Sequence, residues 1–189
     1  ELCVFDNNWA TSKDIITQIF PEERDSAGLR DAAWLGYICY ANLYNDIAET
    51  LKDVYSRSVD LLDFAASNKY VGANPSERLA DQLMVLQARA INGFQFDKGD
   101  QKNIIVRFFI NAAPWLRGHA LESIGRAIGR SEGEVPKEML ERSVNLWNWR
   151  VTVAEKAENR ALHFDEMEAF GWWFYSGQFD NNVNYSKKW

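Results

Sequence analysis

The sequence predicts an all-α protein of seven or eight packed antiparallel helices. Three observations carry this. Apolar residues recur at separations of three and four wherever a period is legible. No segment alternates apolar with polar residues as a half-buried strand does. The interruptions are short, polar and turn-rich, as links between neighbouring helices are.

Taken in order, the helices are expected over 9 to 20, 27 to 44, 46 to 67, 76 to 92, 101 to 112, 114 to 129, 136 to 162 and 165 to 176. Leu29, Ala33, Tyr37 and Ala41 mark the second, and Ile47, Leu51, Val54, Leu61, Leu62 and Ala65 mark a third of about five turns. Leu79, Leu83, Leu86 and Ala90 form the stripe of the fourth, which Ser76 and Glu77 open. Pro114 suits the first turn of the segment carrying Leu116, Ala120, Ile124 and Ile128, because its missing amide hydrogen is harmless there. Gly129 and Gly133 supply its stop. The clearest stripe is Leu140, Val144, Trp147, Val151 and Ala154, spaced four, three, four and three. Breaks fall at 67 to 75, 93 to 101 and 130 to 136.

With 189 residues, 47% of them apolar and eight of them tryptophan, the chain has material for a sizeable core. One domain over 1–189 is expected, with 1–67 and 76–189 as possible sub-units; a start at Glu1 without methionine suggests excision from a longer protein. The net charge of -6 repels a phosphate backbone, so nucleic-acid binding is disfavoured. Residues 1–66 carry 12 acids and 5 bases, against 7 and 9 over 67–134 and 8 and 7 over 135–189. Cys3 and Cys39 make neither a zinc motif nor a disulfide framework, which points to a reducing, cytoplasmic setting. The longest charge-free apolar stretch, 32–45, falls short of the roughly 20 residues a bilayer requires, and no signal peptide is visible.

Pro114-Trp115-Leu116-Arg117-Gly118-His119-Ala120-Leu121-Glu122-Ser123-Ile124-Gly125-Arg126 is the most motif-like stretch. Gly118, Ala120 and Gly125 allow close approach of a neighbouring helix. The stretch resembles the second helix of HEAT-type repeats, with Arg117, Ala120, Leu121 and Gly125 at comparable places, although no second copy follows at about 40 residues. The resemblance implies an irregular HEAT-like α-solenoid fragment. Together with Ala32-Ala33-Trp34-Leu35-Gly36-Tyr37, the same stretch looks like helical regions of large bacterial multidomain defence or ATPase proteins. That likeness implies a part that senses or scaffolds while another domain reacts.

Several chemistries lack their residues. His119 and His163 are 44 apart, so no helical zinc-protease motif exists. Arg117 and Arg160 precede the histidines by two and three residues, which does not match the four to six of HEPN-type ribonucleases. Neither phosphate-binding glycine pattern occurs, and no cofactor is expected. His163 with Asp165, Glu166 and Glu168 is either a weak cation site or an acidic helix start. Glu122, three residues after His119, is close enough to interact with it, and Arg117, Arg126 and Arg130 are either a contact for an anion or solvated charge. Phe5-Asp6-Asn7-Asn8 and Phe179-Asp180-Asn181-Asn182 match by chance, as similar turns, or as a diverged repeat at unit ends.

The aromatic residues give the positive hint. Trp147 and Trp149, two apart, point in different directions, as do Trp172 and Trp173. Their burial requires packing on more than one side, by a continuing solenoid or by a partner. The expected function is therefore a noncatalytic protein-interaction, sensing or scaffold module of a larger cytosolic protein. Arg117, Arg126, Trp147, Trp149, Trp172 and Trp173 are its candidate contacts to a protein partner or to adjoining domains of the same chain. Trp147 is the least suited of them, since its stripe is explained as core. The alternatives are metal-dependent phosphodiester hydrolysis by acidic residues and nucleic-acid binding through a local basic face.

Overall fold

The computed structural model describes residues 15, 16, 18–20, 27–63, 74–131 and 133–175. Among them all regular structure is helical, with no strand. The elements are α1 (Ala27–Tyr40), α2 (Asn45–Thr50), α3 (Lys52–Asp60), α4 (Pro75–Ala88), α5 (Ile104–Asn111), α6 (Pro114–Gly129), α7 (Lys137–Lys156), a 3₁₀ turn (Arg160–His163), α8 (Phe164–Ala169) and α9 (Gly171–Tyr175). Residues 15, 16, 18 and 19 of the helix expected over 9 to 20 are helical; Cys3, both tetrapeptides and the chain end lie outside the described residues.

Local chemistry sets the boundaries. Asn74 caps α4 by accepting from the Ser76 amide, with Pro75 in the first turn. Asn103 accepts from the amides of Ile105 and Val106, which starts α5 three residues later than the apolar pattern suggests. Asn159 accepts from Ala161 and opens the 3₁₀ turn. The helix expected over 136 to 162 therefore ends at Lys156, where Ala157 becomes extended. The one expected over 46 to 67 breaks at Leu51, and the one over 165 to 176 breaks at Phe170.

Helix α6 is the centre of an irregular, solenoid-like packing. It lies against α4 on one flank and against α8 and α9 on another; α1 also packs on α4, and α3 on α5. Gly118 and Gly125 make this possible. A Cβ at Gly118 would lie 2.8 Å from the Asp165 carbonyl oxygen, and one at Gly125 would overlap the Trp173 ring. Helices α4 and α6 run in the same direction, because Asp81 pairs with His119 while the ends at Arg89 and Arg130 border one cavity. The long connection through α5 permits this parallel arrangement.

One contiguous buried cluster extends from Ile16 and Ile38 through Tyr55, Leu83, Phe109 and Leu121 to Trp173. Two stripes face inward at positions other than those the apolar residues suggest. On α7 the buried residues are Ser143, Leu146, Arg150 and Ala154, whereas Val144 is exposed. On α1, Leu29 is 74% exposed and Ile38 is buried. Buried polar and aromatic side chains are held by tertiary partners, as Arg150 is by Glu166. Tyr55 on α3 is the clearest: its hydroxyl donates to Gln82 on α4 and lies 3.3 Å from that of Tyr37 on α1.

Candidate functional site

The candidate contacts divide between the interior and the surface. Arg117 on α6 is 2% exposed. Its Nε donates to Glu166 Oε1 at 2.8 Å, and its two terminal nitrogens donate to the carbonyls of Ala112 and Leu162. Arg150 of α7 grips the same carboxylate, with Nε to Oε2 at 2.6 Å and Nη2 to Oε1 at 3.0 Å. His163 Nδ1 lies 2.9 Å from Oε1. The Arg150 guanidinium also packs on two mutually perpendicular rings, 4.8 Å from the Phe109 ring and 4.7 Å from that of Trp149.

Burial alone would raise the Glu166 carboxyl; the hydrogen bonds and charges of Arg150 and Arg117, with His163, outweigh it and hold the group below its ordinary value. Burial lowers Arg117 from its ordinary value while Glu166 opposes the shift, and the guanidinium stays charged. The cluster ties α6, α7 and α8 together. It also separates the acidic residues near His163: Glu166 turns inward to arginines, whereas Asp165 and Glu168 are exposed. Among the described residues no three His, Cys, Asp or Glu side chains form a group able to hold a metal.

The tryptophans are likewise divided. Trp173 is fully buried and donates its Nε1 hydrogen to the Leu121 carbonyl at 2.7 Å. Trp147 is half-buried, stacked 4.5 Å from the Phe170 ring and packed edge-on against Trp173 and Phe174. Trp149, also half-buried, fills the space between Phe96 and Phe109. Arg126 and Trp172 stand at the surface. The Arg126 guanidinium lies 4.2 Å from the Trp172 ring centre, forms an ion pair with Glu122, and leaves Trp172 39% exposed beside the highly exposed Phe174.

Arg126 also borders a cavity of about 820 Å³ between α4, α6 and the start of α7. Met84, Ile124, Ile128, Val135 and Met139 contribute its apolar wall, and Arg89, Arg126 and Arg130 its basic one. At one end His119 Nε2 lies 2.9 Å from Asp81 Oδ1, each side chain about one-third exposed. The hydrogen bond to Asp81 raises His119 from its ordinary value of 6.5; burial opposes this, and the charges of Asp81, Glu77 and Glu122 reinforce it. Ser123 lines the same cavity, but its hydroxyl donates to the Ala120 carbonyl and is not bonded to His119. Glu122 acts on His119 through its charge, while the hydrogen bond of His119 goes to Asp81, 38 residues away in sequence, and Glu122 pairs with Arg126.

No local spacing announces either the Arg117–Glu166–Arg150 cluster or the Asp81–His119 pair, since the partners meet only through helix packing. No helix among the described residues is long and apolar enough to cross a membrane. Comparison of the chain with protein-family models, with curated proteins and with solved structures yields no match.

Proposed function

We propose that this chain is a noncatalytic recognition module that holds a protein partner, or an adjoining domain of its own chain, at the Arg126–Trp172 surface. The carrying observation is the stacking of an arginine on a tryptophan that keeps 39% of its surface in solvent. Tryptophan and arginine are the residue types in which interface energy concentrates, and a pre-stacked pair loses less side-chain freedom on binding than two separate side chains. Trp173 and the Trp147–Phe170 stack beneath support the pair from the interior. Trp147 and Trp173 then act as supports of that surface, whereas Arg117 is held by Glu166 and Trp149 by Phe96 and Phe109.

The irregular helical packing and the close approach at Gly118 and Gly125 support a HEAT-like reading, in which flanking helices of a larger protein would continue the stack. A free thiol at Cys39 fits a cytoplasmic setting. The likeness to multidomain defence proteins supports a sensing part in such an assembly.

Affinity capture with the full-length protein tests the reading. Trp172→Ala and Arg126→Ala should each weaken capture of the same identified partner by at least about tenfold, with helicity unchanged by circular dichroism. Retention of that partner by both variants would overturn it.

A further inference from the structure

The cavity beside this surface has its own chemistry. We propose that it binds an amphiphilic anion: a small molecule with one carboxylate or phosphate head on a medium-length apolar chain. Its volume of about 820 Å³ lies within the roughly 300–1,000 Å³ typical of small-molecule sites. The apolar wall is set between helices, and the half-buried Met139 on it is a flexible side chain able to adjust to the shape of a guest.

The head group follows from charge accounting around the cavity. Two carboxylates line it, and both are occupied: Asp81 by His119 and Glu122 by Arg126. Arg89 donates to the neutral amide oxygen of Asn45 at 3.1 Å, and Arg130 is exposed. Among the described residues neither arginine has a carboxylate partner. Arg126, already paired with Glu122, has an Nε that is buried without an acceptor. An anion entering here meets two unneutralised guanidiniums on a chain whose net charge is -6, so the excess is local.

The helix ends do not reverse this. Helices α4 and α6 both finish at the cavity, where their carbonyls carry partial negative charge. At the end of α4, however, Arg142 donates both Nε and Nη2 to the Ala88 carbonyl, at 3.0 and 2.6 Å. Pro136 and Met139 bring the opposite, amide-bearing end of α7 to the same cavity.

Titration of the full chain with decanoate, decyl phosphate and decanol, each below its aggregation concentration, tests the site by tryptophan fluorescence and thermal shift. At least one anion should bind saturably and about tenfold or more tightly than the alcohol, since hydrogen bonds to charged groups exceed neutral ones. The double variant Arg89→Gln/Arg130→Gln should lose that advantage while its decanol affinity stays the same. Ala127→Trp, at an exposed position on the cavity lining, should weaken all three ligands. Absence of saturable binding, equal affinity for decanol and the anions, or indifference to the double variant would overturn the proposal. So would binding only to phosphatidylglycerol vesicles, or only to a glutamate-rich peptide. Arg89 and Arg130 take no part in the Arg126–Trp172 surface, so loss of anion binding with partner capture intact separates the two readings.

Discussion

Glu166 has none of its side chain exposed and is held by two guanidiniums. Taking one member away leaves buried charge uncompensated, so Glu166→Ala should destabilise the fold by about 3–5 kcal/mol, measured by urea unfolding. The pH dependence follows from its depressed value. Its contribution is present above the ordinary 4.5 and is lost as pH falls through the lower folded value. The slope of stability against pH below 4.5 should therefore flatten in Glu166→Gln. His119 behaves oppositely. Its folded value is raised above 6.5, so its contribution is complete below 6.5 and is lost as pH rises through the folded value. Proton NMR should show the His119 titration midpoint moving downward in Asp81→Asn, because the largest cause of the shift is removed. Neither partner was legible in the sequence: Glu166 stands 49 residues from Arg117, and Asp81 stands 38 from His119.

At the scale of the elements, the helices were largely legible and their inward faces only partly so. Helix α6 shows both. Pro114 and Gly129 bound it, and Leu116, Ala120, Ile124 and Ile128 are buried as their spacing predicts. Gly118 and Gly125 read as sites of close approach, but only the packing reveals that α8 meets one and α9 the other. Gly125→Ala would force the Trp173 ring outward. It should cost about 1–3 kcal/mol and loosen α9, seen as increased acrylamide quenching of tryptophan. Helix α7 marks the limit of pattern reading. Arg150 is buried where hydrophobicity places a solvent-facing residue, since Glu166 and the Phe109 and Trp149 rings compensate its charge. At the C-cap of α3, Leu61 belongs to the apolar spacing yet is 70% exposed, while Tyr55 is fully buried with a hydrogen bond that a spacing rule does not register.

For the whole molecule, the buried cluster joins helices that precede and follow the 67–75 break without interruption. Thermal unfolding followed by circular dichroism and by tryptophan fluorescence should consequently give coincident transitions; two separated transitions would divide the chain at that break. By itself the sequence determined the helical class and most helix positions, because those depend on neighbours three or four residues apart and on caps and breakers read locally. The tertiary structure alone decided which arginines are buried, which tryptophan faces solvent and where a cavity opens. Those outcomes depend on charges and rings that meet across α4, α6, α7 and α8, at separations over which chain order carries no geometric information.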